Sequence, residues 1–267
     1  MEYIDFEYLQ EKKEWLKREW SSKRPFHYAV LENFFKAEKS DEIHDNYPKP
    51  DVKWDGTTYI HQKNKFQKSV FEPGSLFDKV FKELNSPEML KYLEEVTGIK
   101  NIIADEKLFG GGLHQSIKGA FLNVHVDYNI HPETKFHRRL NLIVYMNKDW
   151  KDEYEGFLEL WNMKRKERIE NIAPHINRMV IFETNEVSFH GHPHPLNTPD
   201  NISRKSIATY YYTKERPVHE IAGEHNTIYV NTQGSKGTIK TFFYDIKVLK
   251  ERLFGNNYIR FLPLSKP

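Results

Sequence analysis

Apolar positions keep a helical spacing in much of the first hundred residues and a different one beyond them. In residues 5–20, Phe6, Leu9, Trp15 and Leu16 stand among charges at roughly helical intervals, which predicts an amphipathic helix. Tyr28 to Phe35 is a short apolar run followed by polar residues up to Pro48, read as a strand and then a helix. Residues 49–71 mix polar and aromatic positions with no period, so no element is predicted there. Residues 75–97 read as two short amphipathic helices. Ser75 can cap the first, Ser86-Pro87 opens the second, and Gly98 suits its end.

From about residue 100, short runs rich in β-branched and aromatic residues alternate with turn residues. They are Ala120 to Tyr128, Leu140 to Asn147, Gly156 to Trp161, Arg178 to Glu183 and Ser206 to Thr213. This rhythm predicts an all-β barrel or sandwich. In the second run, Leu140, Leu142, Val144 and Met146 mark an apolar face. Asn141, Ile143, Tyr145 and Asn147 make the other, which suits a strand lining a small-molecule pocket. Gly110-Gly111-Gly112 predicts a turn. After Pro217, Thr227 to Val230 and Ile239 to Tyr244 read as strands joined through Gly234 and Gly237, and Asp245 to Phe254 as a helix.

Composition narrows the function classes. Hydrophobic residues are 38% of the 267, enough for a sizeable core in one domain. Forty Lys and Arg against 38 Asp and Glu leave a net charge of +2, which gives no electrostatic case for nucleic acid or a membrane surface. The absence of cysteine excludes disulfides, thiolate metal sites and Cys nucleophiles. The first residues lack an apolar leader, and no apolar run approaches a membrane span, so a cytoplasmic protein is expected.

The chemistry concentrates in Leu122-Asn123-Val124-His125-Val126-Asp127. On a strand, residues two apart share a face, so His125 and Asp127 converge on one spot. A third ligand from His190, His192 or His194 would complete a two-histidine, one-carboxylate set. That set suits Fe(II) with three open positions, and zinc is the competing metal. Arg204 opens the last apolar strand and shares a face with Ser206. An arginine there suits a planar carboxylate.

Five motifs in order carry a resemblance: His125 to Asp127, Tyr145 to Trp150, Glu155 to Trp161, His190-Gly191, and Arg204 to Ser206. Together they resemble the prolyl 4-hydroxylase-like branch of the 2-oxoglutarate and Fe(II)-dependent oxygenases. The resemblance implies a mainly β fold with flanking helices (α+β) and a double-stranded β-helix, or jelly-roll, core. It implies one domain over 1–267: a mostly helical part at 1–99, the jelly-roll core at 100–217, and strands and a helix at 218–267 packed on it. It assigns iron to His125, Asp127 and His190, the last favoured by its His-Gly pair. Arg204 and Ser206, with Tyr145, would hold the distal carboxylate of 2-oxoglutarate, and Gln115 would lie near the bound oxo acid. The implied reaction is a dioxygenase hydroxylation using Fe(II), O2 and 2-oxoglutarate, with ascorbate as an accessory reductant. The presence of Asp127 favours hydroxylation, because related halogenases lack this carboxylate. The substrate would be a small molecule or a peptide, with Asn123, Asn129, Trp161, Tyr210 and Tyr212 as residues to face it. The competing reading is a non-catalytic or zinc-binding jelly roll.

Overall fold

The computed structural model describes residues 1–51, 54–59 and 61–232. In chain order its elements are α1 (Phe6–Ser22), β1 (Tyr28–Leu31), α2 (Ala37–Asp45), β2 (Asp55–Tyr59), β3 (Gln62–Lys68), α3 (Leu76–Leu84), α4 (Pro87–Thr97) and β4 (Ile103–Ala104). They continue with β5 (Gly112–Val126), β6 (His137–Tyr145), β7 (Leu158–Asn162), β8 (Glu167–Ile172), β9 (Arg178–Glu183), β10 (Phe189–His192), β11 (Arg204–Thr213) and β12 (Ile228–Tyr229). The helices start and stop where side chains satisfy their free backbone groups. Asp5, Ser75 and Ser86 accept from the backbone N–H three residues on, and Gly98 closes α4 at φ 77°. Among the described residues, no helix is long and apolar enough to cross a membrane.

The strands form a curled antiparallel sheet in the order β1-β9-β6-β11-β5-β10-β7-β8. The curl comes from β5. Its first half pairs with β11 and its second half with β10 and β12, while β3 runs along both with a shift of register between Lys63 and Lys65. Gly119, at φ 75°, lies where these pairings change over. The two halves of the sheet close on a buried cluster that includes Tyr28, Tyr145, Leu158, Leu160 and Phe182. The helices cover the opposite face of β6, β9 and β11. There Leu140, Leu142, Val144, Met179, Ile181 and Ile207 join Leu84, Met89 and Leu93 in the larger core. The apolar face of β6 therefore serves the helical layer, and its mixed face looks into the curl.

The helices and the apolar strands fall where periodicity puts them, but several expectations are corrected. Residues 49–71 contain the hairpin β2–β3, so the first hundred residues are less helical than expected. β3 shows no alternation because its place is fixed by backbone pairing to β2 and β5, not by an apolar face. β5 begins at Gly112, eight residues before the apolar run, and β8 and β10 were not predicted. Gly110 and Gly111 make the expected turn, but Gly112 already belongs to β5. A Cβ on Gly112 would lie 2.2 Å from the Lys68 carbonyl oxygen, so the position needs glycine for close approach of β3. The strand expected at Thr227 to Val230 is β12. The strand and helix expected at 239–254 lie outside the described residues.

Candidate metal and carboxylate site

β5 and β10 run antiparallel with His190 opposite His125. The two imidazoles come within 4.4 Å of one another, centroid to centroid. Asp127 closes the triangle, and one ligand atom from each of the three residues lies within 4.8 Å of the others. The histidines are buried. Each Nδ1 faces a carbonyl oxygen, His125 that of Asn123 at 2.8 Å and His190 that of Ser188 at 2.9 Å. A carbonyl only accepts, so each Nδ1 carries the proton and each Nε2 keeps its lone pair free. Burial, followed by the neighbouring His125, lowers the pKa of His190 to about 4, so it is neutral at physiological pH. Two neutral Nε2 donors and one carboxylate are the chemistry a divalent iron or zinc ion requires.

Asp127 is held from behind. Arg138 Nη2 lies 3.0 Å from Asp127 Oδ2, and Asn141 Nδ2 donates to the same oxygen at 2.7 Å. Arg138 also donates to Asn141 Oδ1 from Nε at 2.9 Å and from Nη2 at 2.6 Å. Its guanidinium is only 1% exposed and stacks over the Tyr210 ring, 3.5 Å from the centroid. Burial pushes the Asp127 carboxyl up, but the Arg138 guanidinium, helped by His190 and His125 beside it, outweighs burial and holds it well below the usual carboxylate range. Nothing in the spacing of Arg138 marks it. It sits in a charged run, His137-Arg138-Arg139, that reads as surface.

Across the same interior stands Arg204. Its Nη2 donates to Tyr145 Oη at 3.1 Å and its Nε to the Gly156 carbonyl at 2.6 Å. Ser206 pairs with Tyr145 in the β11–β6 ladder and shares the face of Arg204. His192 is buried, lies two residues after His190 on β10, and its Nδ1 has no hydrogen-bond partner. His194 is exposed and lies 3.4 Å from Glu159. The structure thus brings His125, Asp127, His190, Arg204, Tyr145 and Ser206 to one interior.

Gln115 is not brought there. It pairs with Lys205, on the sheet face opposite Arg204, and donates to Ser203 Oγ. The reversal of β5 near Gly119 is the reason. Before it, His114 and Ser116 share the face of Ser206 and Arg204; after it, His125 does. Gln115 therefore lies on the face opposite Arg204 and Ser206. Of the residues expected to face substrate, Asn123 Nδ2 lies 3.1 Å from His61 Nδ1. Asn129 instead ties down the C-terminal segment through Gly223 and His225, and Trp161 donates to Glu159. Tyr210 packs on Arg138, and Tyr212 meets the Tyr128 hydroxyl at 2.7 Å. Two aromatic residues near the triad escaped the sequence. Tyr229 of β12 pairs opposite His125, lies 5.3 Å from its ring, and stacks on His61 at 4.4 Å.

A mainly β sheet curled around a two-histidine, one-aspartate cluster with an arginine beyond it defines an oxygenase-type class. Residues 111–212 match the sequence profile of the 2OG-Fe(II) oxygenase superfamily, the superfamily its motifs resemble. No curated protein matches the chain. Among solved structures it is similar to a prolyl-4-hydroxylase from Pseudomonas putida, at 13% identity over 75% of this chain and 100% of that one, with a TM-score of 0.50. It is similar also to a prolyl hydroxylase from Trichoplax adhaerens in complex with a hypoxia inducible factor oxygen degradation domain peptide fragment (14% identity, 77% and 92% covered, TM-score 0.52). A third is a prolyl 4-hydroxylase from Phytophthora capsici (18% identity, 79% and 66% covered, TM-score 0.51). At these identities the likeness is one of fold.

Proposed function

We propose that the protein is a non-haem Fe(II) dioxygenase with a double-stranded β-helix core, coupling oxidative decarboxylation of 2-oxoglutarate to hydroxylation of an unactivated C–H bond. The observation that carries the reading is one interior shared by the His125, Asp127 and His190 cluster and the Arg204–Tyr145 pair. A metal triad alone would serve zinc equally well; an arginine with a tyrosine hydroxyl beside it adds a place for a distal carboxylate. In this reading His125, Asp127 and His190 hold the iron. Iron, when bound with 2-oxoglutarate, would activate O2, the oxidant, one oxygen atom going to succinate as the oxo acid loses CO2 and the other to the hydroxylated carbon.

The chain's own groups bind, orient and shield. Backbone carbonyls at Asn123 and Ser188 fix both imidazoles with Nε2 toward the centre. Arg138 and Asn141 fix the carboxylate. Arg204, steadied by Gly156, presents its remaining N–H groups, and Tyr145 accepts from it while keeping its own proton to donate. Phe182, 4.5 Å from the His190 ring, helps keep water from that side. The substrate is proposed to be a small metabolite or a free or peptidyl amino acid, entering past His61 and Tyr229.

The test is equilibrium binding of 2-oxoglutarate to the Fe(II)-loaded protein without oxygen. Arg204→Ala should weaken it more than ten-fold, because a charged hydrogen bond contributes about 1.5–3 kcal/mol and an unpaired carboxylate costs more. An unchanged affinity would place the distal carboxylate elsewhere.

A further inference from the structure

The same interior holds two nitrogen donors that the reading above leaves unused. Lys65 lies on β3 opposite Ser116 of β5, and Ser116 lies opposite Arg204 of β11. Residues directly opposite in antiparallel strands share a face, so Lys65, Ser116 and Arg204 form one cross-strand row pointing into the curl. Among the described residues, no carboxylate forms an ion pair with Lys65. The second donor is His192. It lies two residues after the candidate ligand His190, where the register of β10 against β5 shifts, is 5% exposed, and leaves its Nδ1 without a partner. A buried polar atom of this kind is rare without a ligand or water to meet it.

We propose that Lys65 and His192 complete, with Arg204 and Tyr145, a four-donor cradle for the distal carboxylate of the oxo acid. This rests on the co-substrate reading and sharpens it.

A carboxylate offers about four lone-pair sites, and two donors leave half of them unmet beside the buried Arg204 and Tyr145. Arg204, Tyr145, Lys65 and His192 supply one donor group each. Their mutual proximity shows in the electrostatics. The charges acting most strongly on His192 are those of Arg204 and then Lys65. Burial lowers the pKa of Lys65 to about 8; Asp127 opposes this, while Arg204 and Arg138 add to it. The anion acting on Lys65 is Asp127, which Arg138 already pairs, so a bound carboxylate would supply the negative charge that two cations and an imidazole otherwise lack. The lysine comes from the hairpin β2–β3, so the cradle also ties that hairpin to the barrel when the oxo acid is present.

The experiment measures binding, not turnover. Calorimetric titration of the Mn(II)-loaded protein compares 2-oxoglutarate with 2-oxobutyrate, which keeps the 2-oxo acid head and lacks the distal carboxylate. For the wild type, 2-oxoglutarate should bind much more tightly. Lys65→Met and His192→Val should each weaken 2-oxoglutarate about ten-fold or more and leave 2-oxobutyrate within about two-fold, given the strength of charged hydrogen bonds. Lys65→Met should also melt no lower than the wild type without ligand, because it removes a charge that has no ion-pair partner. Either variant binding 2-oxoglutarate as tightly as wild type, or losing both acids equally, overturns the cradle while leaving the co-substrate reading intact. Equal affinity of the wild type for the two acids overturns the co-substrate reading itself, and the cradle with it.

Discussion

Asp127 and Arg138 are the pair on which the candidate metal site leans. Two opposite charges removed from water are stable together and costly apart, because the survivor keeps its desolvation penalty. Arg138 is almost wholly buried, and Asn141 is the other side chain that donates to Asp127 Oδ2. Arg138→Met should therefore destabilise the metal-free protein by about 3–5 kcal/mol. A bound divalent ion would supply compensating charge to Asp127, so the loss should be clearly smaller in the Mn(II)-loaded protein. Denaturant unfolding with and without Mn(II) measures both, and equal losses would show that the pair serves the fold alone. His125, Asp127 and Arg204 were legible in the sequence because their chemistry is carried by strand alternation and order. Arg138, Lys65 and His61 were not. Their partners lie on strands brought near only by the fold, and a charged residue in a polar run looks the same whether it faces water or a site.

At the scale of the element, the sheet owes its closure to the contact between β3 and the start of β5. Gly112 sits at φ 109° with the Lys68 carbonyl where a side chain would go. Gly112→Ala should separate these strands and destabilise the protein by more than about 1–3 kcal/mol, the usual range for a strained backbone position before any clash is added. Thermal unfolding followed by circular dichroism checks it, and an unchanged midpoint would mean that β3 is dispensable for the fold. The same contact explains what periodicity reveals and hides. β6 and β9 announce themselves because each packs apolar side chains against the helices or the inner cluster. β3, β8 and β10 carry polar or mixed side chains and are held by backbone ladders, which leave no trace in hydropathy. The change of face along β5 near Gly119 is equally silent, and it turns Gln115 away from Arg204.

At the scale of the molecule, the curl of one sheet brings three distant stretches of chain to one point. β5 and β10 supply the candidate ligands, β6 and β11 the Arg204–Tyr145 pair, and the C-terminal segment lays Tyr229 beside His125. That convergence is chemical as much as geometric. The most direct measurement is succinate formed from 2-oxoglutarate by the Fe(II)-loaded wild-type protein in air, set against His125→Ala and against the zinc-loaded wild type. The account predicts succinate from the iron-loaded wild type alone, including slow formation without a substrate. Succinate formed equally by His125→Ala, or none formed by the iron-loaded wild type with any candidate substrate, would contradict it.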